Sequence, residues 1–306
     1  MINLACKIGS VKFKNPIFTA SGTFGYGNDL QEFVDVKKLG AIITKSITYE
    51  PRGGNPPPRI VETPSGMLNS IGLANIGVKK FINDILPNYN NIDTNIIVNI
   101  AGSTNDEYLK IIKEIETVSS DIVGYEINIS CPNVEHGGME LGVDADLSSK
   151  LISELRKYTE KLLIVKLTPN VTDITKIAIA VEDSGADAIS AINTVVGMSI
   201  DIQKYKSSIY KAYAGLSGPA IRPIALANVH KIAKVVSIPI VGIGGIVNYV
   251  NVMEFILAGA SAIQIGTANF RNPNAGAAIL EKLNIYFSEK NISNYSELIG
   301  KLNLYE

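Results

Sequence analysis

The 306-residue sequence has few cysteines and few histidines, two of each, and it has no tryptophan. The two cysteines, Cys6 and Cys131, lie more than a hundred residues apart, so they do not form a disulfide framework. Two histidines and two cysteines also do not make a plausible zinc cluster, and we predict no metal site. This usage is typical of a protein in a reducing compartment, and we expect a cytoplasmic location.

The sequence also lacks an excess of charge of one sign and a long apolar run. Its 28 basic and 29 acidic residues give a net charge of −1, and no basic block stands out that could neutralise nucleic-acid phosphates or an anionic membrane surface. No segment has the 18 or so uninterrupted apolar residues that span a bilayer, and the first apolar stretch is too short for a signal peptide. We therefore expect neither nucleic acid nor membrane as a partner.

What the chain does contain is a regular alternation of two patterns. Short apolar runs rich in β-branched residues predict strands, and the segments between them carry apolar residues at the three- and four-residue spacing of helices. Strands that are apolar on both faces, each followed by a helix, indicate a parallel sheet of the α/β class. Eight such units favour one closed (β/α)8 TIM barrel, a single domain over residues 1–306. The predicted strands are 17–21, 41–45, 96–100, 124–130, 163–167, 187–192, 239–244 and 262–266, and the predicted helices include 105–118, 146–162, 174–185, 221–236 and a terminal helix at 291–306.

One stretch breaks this alternation. Residues 46–75, directly after the second predicted strand, contain five prolines and four glycines in place of helical periodicity. Because the active sites of TIM barrels lie at the C-terminal ends of the strands, this Pro/Gly-rich insertion is predicted to lie over the barrel mouth.

The ends of the predicted strands are unusually polar. Lys45 and Lys166 end or interrupt apolar runs, which indicates either an anionic ligand at the mouth or lysines that extend past the strand ends to water. Several asparagines fall at strand ends or in mouth loops, and their amides suit a pyrimidine or flavin ring, although asparagine is also common in turns. These asparagines are Asn69, Asn99, Asn128, Asn133 and Asn193.

Two glycine turns follow the last two predicted strands, GIGGI at 242–246 and IGTANF at 265–270. Glycine leaves backbone N–H groups accessible, and the helices that follow present N-termini that favour an anion. The pair predicts a phosphate site, and the alternative is two tight turns without a ligand. A GxGxxG motif with the correct spacing and a GxxxxGK[ST] motif are both missing, so the pattern favours FMN over direct nicotinamide binding.

Cys131 lies just past the fourth predicted strand, in the sequence EINISCPN, beside Pro132 and before a glycine-containing loop. An isolated cysteine is often a small buried side chain, but a cysteine in a polar, partly enclosed loop can act as an acid or base. The residues alone leave both interpretations open.

Ten motifs, in order along nearly the whole chain, resemble the catalytic subunit of the dihydroorotate dehydrogenase family. The cysteine in INISCPN resembles the soluble class 1 enzymes, because the membrane-associated class has serine there. Three of the motifs, GMLNSIGLAN, LTPNVTD and INTVVGM, are more similar to the NAD-linked class 1B. The ten motifs are TASGTFGYG (19–27), ITKSIT (43–48), EPRGGNPPPR (50–59), GMLNSIGLAN (66–75), INISCPN (127–133), VKLTPNVTD (165–173), INTVVGM (192–198), LSGPAIRPIAL (216–226), GIGGI (242–246) and IGTANF (265–270).

The resemblance implies oxidation of (S)-dihydroorotate to orotate in pyrimidine (UMP) biosynthesis, with FMN at the top of the barrel. It also implies that Cys131 removes the C5 proton while a hydride passes from C6 to N5 of FMN. In class 1B the electrons continue to NAD through a partner subunit that carries FAD and a 2Fe-2S cluster, in a heterotetramer built on a homodimer.

By motif, the resemblance assigns two sets of binding residues. The FMN contacts are Ser21, Lys45, Ser46, Asn99, Asn128, Lys166, Ile192, Gly218, Gly244, Gly245, Gly266 and Thr267. The substrate contacts are Lys45, Asn69, Ser70, Ile71, Gly72, Leu73, Asn128, Asn133, Asn193 and Thr194.

Three alternatives stay open from the sequence. The chain could be a class 1A enzyme that passes electrons to fumarate, or another FMN barrel that acts on a pyrimidine ring. It could also be a barrel without catalytic activity that only binds a phosphorylated ligand, although Cys131, both lysines and the glycine turns argue against this.

Overall fold

A closed parallel barrel of eight strands organises the computed structural model, which describes residues 2–27, 34–118, 120–130, 132–133 and 139–305. Each predicted apolar run contributes one strand, so the expected (β/α)8 TIM barrel is confirmed. The strands are β1 (Ile17–Thr19), β2 (Ala41–Ile43), β3 (Asn95–Ile100), β4 (Ile122–Asn128), β5 (Leu162–Leu167), β6 (Ala188–Ala191), β7 (Ile240–Ile243) and β8 (Ala262–Ile265).

The strands pair in chain order, and β8 pairs with β1 to close the ring. Burial on both faces explains why the runs are continuously apolar, since one face packs inside the barrel and the other against the helices. All six residues of β5 are buried, including Lys166. A charged side chain in such a strand requires a partner, and Glu126 on β4 lies 3.6 Å from the Lys166 ammonium group.

The helices lie outside the barrel, and each presents its apolar stripe to the strands. The longer ones are α1 (Asn105–Glu116), α2 (Ala145–Arg156), α3 (Ile174–Asp183), α4 (Arg222–Ala233), α5 (Tyr249–Ala258) and α6 (Ala275–Glu289). Shorter helical segments are Val36–Lys38, Val78–Lys80, Phe81–Ile85, Leu86–Asn91, Leu141–Val143, Pro219–Ile221, Ala268–Arg271 and Tyr295–Leu298. Within the described ranges we find no helix that combines the length and the apolar character needed to cross a bilayer.

Side-chain caps fix where several helices begin. The Thr104 hydroxyl accepts a hydrogen bond from the Glu107 N–H at the start of α1, and the Asp144 carboxylate accepts one from the Leu147 N–H at the start of α2. Each cap satisfies a backbone donor that the helix itself cannot, which is worth about 1 kcal/mol.

The prediction of a helix over 146–162 is wrong in its last six residues, 157–162. Helix α2 ends at Arg156, and its guanidinium donates to the carbonyl oxygens of Thr159 and Lys161 in the turn that follows. Tyr158, which the helical spacing would bring toward the core, is instead exposed, and Leu162 already belongs to β5.

The predicted terminal helix over 291–306 is also wrong. The structure has a short 3-10 helix, Tyr295–Leu298, which the Asn294 side chain caps by accepting from the Ser296 N–H. The backbone is already extended at Ile299, so the helical geometry ends there; Gly300 follows with a φ of 71°, and residues 301–305 are exposed. The last long helix is α6, which the sequence analysis did not single out, as it did not single out α5.

The 46–75 insertion lies over the barrel mouth, as predicted. Two of its segments, Ile60–Thr63 and Gly66–Asn69, form a hairpin that joins Ala214–Ser217 and Val195–Gly197 in a four-stranded antiparallel sheet. We call these four strands the mouth sheet. Two smaller antiparallel pairs lie in the loops after β4 and β6. They are Pro132–Asn133 with Met139–Glu140, and Ile200–Asp201 with Lys206–Ser207.

The opposite end of the barrel is closed by the hairpin Cys6–Ile8 and Val11–Phe13. Its turn residue Gly9 lies against Leu162 and Asp187, just where β5 and β6 begin. Burial raises the pKa of the Cys6 thiol to about 11, so it is protonated at neutral pH, as expected of a structural cysteine.

A carboxylate network joins α1 to this closed end. Glu116 accepts hydrogen bonds from Lys161 Nζ at 2.8 Å, Thr159 Oγ1 at 2.7 Å and the Tyr125 hydroxyl at 2.9 Å. Partial burial alone would raise the pKa of Glu116, but these three donors stabilise its ionised form and bring the pKa below its usual value. The network therefore stabilises the fold only while Glu116 is ionised.

We predict that Glu116→Gln lowers the free energy of unfolding by about 1–2 kcal/mol at neutral pH, because the ion pair and one acceptor are lost. The pKa of Glu116 is lower in the folded than in the unfolded chain. Its contribution is thus complete above the unfolded pKa of about 4.3, and it disappears as the pH falls through the folded value. Urea unfolding of both proteins at several pH values measures this, and a difference that is unchanged at low pH would contradict the account.

Candidate active site

A cavity of about 870 Å³ lies at the C-terminal ends of the strands, beneath the mouth sheet. This is the end of a TIM barrel at which active sites are built. Most of the residues that the sequence assigned to FMN or substrate line it together, although they are spread over nearly 250 positions of the chain. They are Ser21, Lys45, Ser46, Asn69, Ser70, Ile71, Gly72, Leu73, Asn128, Lys166, Ile192, Asn193, Thr194, Gly218, Gly244, Gly245, Gly266 and Thr267.

Of the other three assigned residues, one is buried below the cavity and two have side chains outside the described part of the chain. Asn99 is fully buried below the cavity floor. Cys131, the predicted base, lies outside the described residues, and so does the side chain of Asn133, whose backbone pairs with Met139. Their predicted roles stay predictions.

The two lysines of the cavity differ in their surroundings. Lys166 Nζ lies 3.6 Å from Glu126 Oε1, and both side chains are almost completely buried. Lys45 is half-buried, and its ammonium group contacts no acceptor among the described residues. Burial, together with the positive charge of Arg59, lowers the pKa of Lys45 below its usual value. An anionic ligand would supply the missing partner of Lys45.

An amide cluster joins the ends of β4 and β6. Asn193 Nδ2 donates to Asn128 Oδ1 at 3.2 Å and to Ser130 Oγ at 3.0 Å, while Asn128 Oδ1 also accepts from the Ser130 N–H at 3.3 Å. The cluster fixes the orientation of two amides at the cavity wall. Amides held in this way can present donors and acceptors to a ring with C=O and N–H groups.

The insertion supplies the opposite wall, which hydrogen bonds attach to the rest of the mouth. Asn69 Nδ2 donates to the Gly215 carbonyl oxygen at 3.2 Å, and Asn55 Nδ2 donates to Ser70 Oγ at 2.9 Å. Arg52 anchors the insertion to helix α1, since its guanidinium contacts Glu107 at 3.0 Å. The segment 69–73 is thus a fixed part of the cavity wall.

The glycine turns after β7 and β8 lie at one side of the cavity, together with the loop after the strand Ala214–Ser217. No hydrogen bond within the described chain uses the N–H groups of Gly244, Gly245, Gly266 or Thr267. The Thr267 hydroxyl donates to Ser217 Oγ at 2.8 Å, which holds two of the loops together. Free N–H groups that converge on a cavity form a site for an anion such as phosphate.

Sequence reasoning missed some residues of the site. Arg52, Asn55, Ser130, Thr168, Asn170 and Ser217 line the cavity and lie within the motifs, but their types are common in loops and gave no separate signal. Glu126 was also missed, although a signal was present, because it is the one acidic residue in the apolar run GYEINIS.

The fold and this cavity define a TIM-barrel protein with its ligand site at the C-terminal face. The chain belongs to the dihydroorotate dehydrogenase family: its residues 3–286 match the family described as "Dihydroorotate dehydrogenase". Three similar proteins carry the name "Dihydroorotate dehydrogenase B (NAD(+)), catalytic subunit". The protein of Geotalea uraniireducens is 47% identical over 300 residues, 98% of each chain. The protein of Thermoanaerobacter sp. is 48% identical over 98% of this chain and 99% of its own, and that of Bacteroides thetaiotaomicron 48% over 99% of each.

We predict that Gly245→Ala lowers the free energy of unfolding by about 1–3 kcal/mol. Gly245 has a φ of 69°, and a Cβ there would lie 2.7 Å from the Gly218 carbonyl oxygen, so the loops after β6 and β7 could not approach. Gly53→Ala is the control, because open space surrounds Gly53. Urea unfolding compares the two variants, and equal stabilities would show that the close approach is not required.

Proposed function

We propose that this chain is the catalytic subunit of an NAD-linked, class 1B dihydroorotate dehydrogenase, which oxidises (S)-dihydroorotate to orotate in UMP biosynthesis. The observation that carries the proposal is the mouth cavity, in which two lysines, an amide cluster and free backbone N–H groups converge in a member of this family. The names of the similar proteins support the NAD-linked class.

The residues present fit FMN. The free N–H groups of Gly244, Gly245, Gly266 and Thr267 suit its phosphate. Below the cavity floor, Asn99 Oδ1 is a buried acceptor without a hydrogen-bond partner among the described residues, and Lys166 provides a positive charge at the floor. We assign FMN binding to these residues and to Ser21, Ser46, Asn128, Ile192 and Gly218. When bound, FMN supplies the hydride acceptor for the reaction.

The substrate side of the site follows from the remaining groups. Dihydroorotate carries a carboxylate, and Lys45 is a cation without an acceptor in the described chain. The amides of Asn128 and Asn193 are oriented by each other and offer hydrogen bonds to the ring. We assign the other substrate contacts to Asn133, Thr194 and the wall segment Asn69, Ser70, Ile71, Gly72 and Leu73.

We propose that Cys131 is the base that removes the C5 proton of dihydroorotate. The described residues next to it support this placement. Ser130 directly precedes Cys131 and is held by Asn193 and Asn128, both of which line the cavity. The mouth sheet covers the cavity, which limits access of water to the reacting groups. A positioned base contributes about 10² to 10⁴ in rate.

The proposal also includes a partner subunit, a single domain and a cellular location. The partner is a subunit that carries FAD and a 2Fe-2S cluster, in a heterotetramer built on a homodimer of this chain. Residues 1–306 act as one FMN-binding barrel domain, since the closed barrel includes strands from Ile17 to Ile265. The free, buried thiol of Cys6 is compatible with the cytoplasmic location that we expect.

We expect dihydroorotate to bleach the flavin absorbance of the purified chain in an anaerobic stopped-flow experiment without an acceptor. Recovery of the absorbance with NAD and the partner subunit, but not with fumarate alone, would assign the chain to class 1B. Recovery with fumarate alone would assign it to class 1A instead. A flavin spectrum that dihydroorotate leaves unchanged would overturn the substrate assignment.

We predict that Cys131→Ala slows flavin reduction by dihydroorotate about 10² to 10⁴-fold, because the base is lost while the binding residues remain. Cys6→Ala is the matched control, since it removes the other thiol at the closed end of the barrel. Stopped-flow measurement of the reductive half-reaction compares the two. A loss of less than tenfold in Cys131→Ala would remove Cys131 from the mechanism.

A further inference from the structure

Glu126 is a carboxylate in the middle of the barrel wall. It lies on β4, two residues before Asn128, so both side chains point to the same face of the strand. Asn128 lines the cavity, whereas Glu126 does not, and its exposed fraction is 0%. Glu126 is therefore one step deeper in the barrel than the cavity floor.

Neutral donors from three strands surround this carboxylate. Asn99 Nδ2 on β3 donates to Oε1 at 2.6 Å, and Ser190 Oγ on β6 donates to Oε2 at 2.9 Å. Gln264 Nε2 on β8 donates to Oε2 as well. Each of the two carboxyl oxygens accepts at least one of these hydrogen bonds, which fixes the orientation of the side chain. The barrel thus holds the Glu126 carboxylate in a fixed place.

Lys166 connects this carboxylate to the cavity. It is the fourth group in contact with Glu126, at 3.6 Å from Oε1, and among the described contacts of Glu126 it alone lines the cavity. Among the aspartates, glutamates, lysines and arginines of the described ranges, Glu126 and Lys166 are the only buried residues. Asn99, which is also assigned to FMN, contacts Glu126 from below the floor, so Lys166 is the contact through which Glu126 reaches the cavity surface.

We propose that Glu126 is a positioning residue of the active site: it holds the Lys166 ammonium group at the cavity floor, where the cation meets the ring of the bound flavin. This inference rests on the proposed function, because it takes FMN as the ligand. Lysine has a flexible four-carbon stem. Without an anion beside its ammonium group, the Lys166 side chain would have other rotamers available. A carboxylate held by three donors restricts these rotamers before FMN binds, so less conformational entropy is lost on binding.

The experiment is a double-mutant cycle on the holoenzyme, with Glu126→Gln, Lys166→Met and the two combined. The readout is the rate at which the diluted protein releases FMN, followed by the rise of free-flavin fluorescence. We expect each single variant to release FMN about ten times faster than the wild type, which corresponds to about one charge-assisted hydrogen bond. The double variant should release FMN no more than about twofold faster than Lys166→Met, because Glu126 acts through Lys166.

Glu116→Gln is the matched control. Glu116 also accepts three hydrogen bonds and pairs with a lysine, but it lies at the closed end of the barrel. The Glu116→Gln variant should be less stable than the wild type but release FMN at the wild-type rate. A Glu126→Gln variant within twofold of the wild type, or an equal effect of Glu126→Gln with and without Lys166, would overturn the inference.

Variants that fail to fold also decide the question. If Glu126→Gln does not fold but the double variant does, the lysine is the group that requires the carboxylate, and the coupling is supported. If neither folds, Glu126 is needed for the barrel itself and the positioning role is wrong. Failure of the proposed function would appear elsewhere, as a wild-type protein that binds no FMN or does not respond to dihydroorotate.

Discussion

The closure of the parallel sheet, by the pairing of β8 with β1, is the constraint on which the site depends. Closure brings the C-terminal end of every strand to one rim, so residues distant in sequence become neighbours. Ser21 follows β1 and Thr267 follows β8, yet both line the same cavity. Sequence separation is therefore a poor guide to proximity here, whereas position relative to the end of a strand is a good one.

The two ends of the barrel differ in whether their polar groups have hydrogen-bond partners. At the closed end, polar side chains pair among themselves, as Glu116 does with Lys161, Thr159 and Tyr125. At the mouth, polar groups are left with unused capacity: the Lys45 ammonium group and the turn N–H groups bind nothing in the described chain. Unsatisfied polar groups cost free energy in the folded state, and this cost is acceptable where a ligand satisfies them.

Much of this arrangement could be predicted from the sequence, and particular residues show why the rest could not. The strands were recognisable because burial on both faces makes them continuously apolar, and polar residues at their ends, such as Lys45 and Asn193, marked the mouth. The role of Glu126 could not be predicted from the sequence, because its donors Asn99, Ser190 and Gln264 lie 27, 64 and 138 residues away. The spacing of Tyr295, Leu298, Ile299 and Leu302 predicts a terminal helix, but the backbone is extended at Ile299 and left-handed at Gly300, which apolar spacing does not reveal.

The mouth sheet restricts which loops can be exchanged between related barrels. The loops of a TIM barrel are commonly treated as independent modules, each replaceable while the scaffold stays intact. Here the loop after β2 and the loop after β6 contribute strands to one ladder, with Leu68 paired to Leu216 and Asn69 hydrogen-bonded to Gly215. Replacing either loop alone would leave the edge of the other without its partner. In this chain the two loops must therefore be exchanged together. A chimeric barrel that is built to change the substrate range needs both loops from the same donor protein.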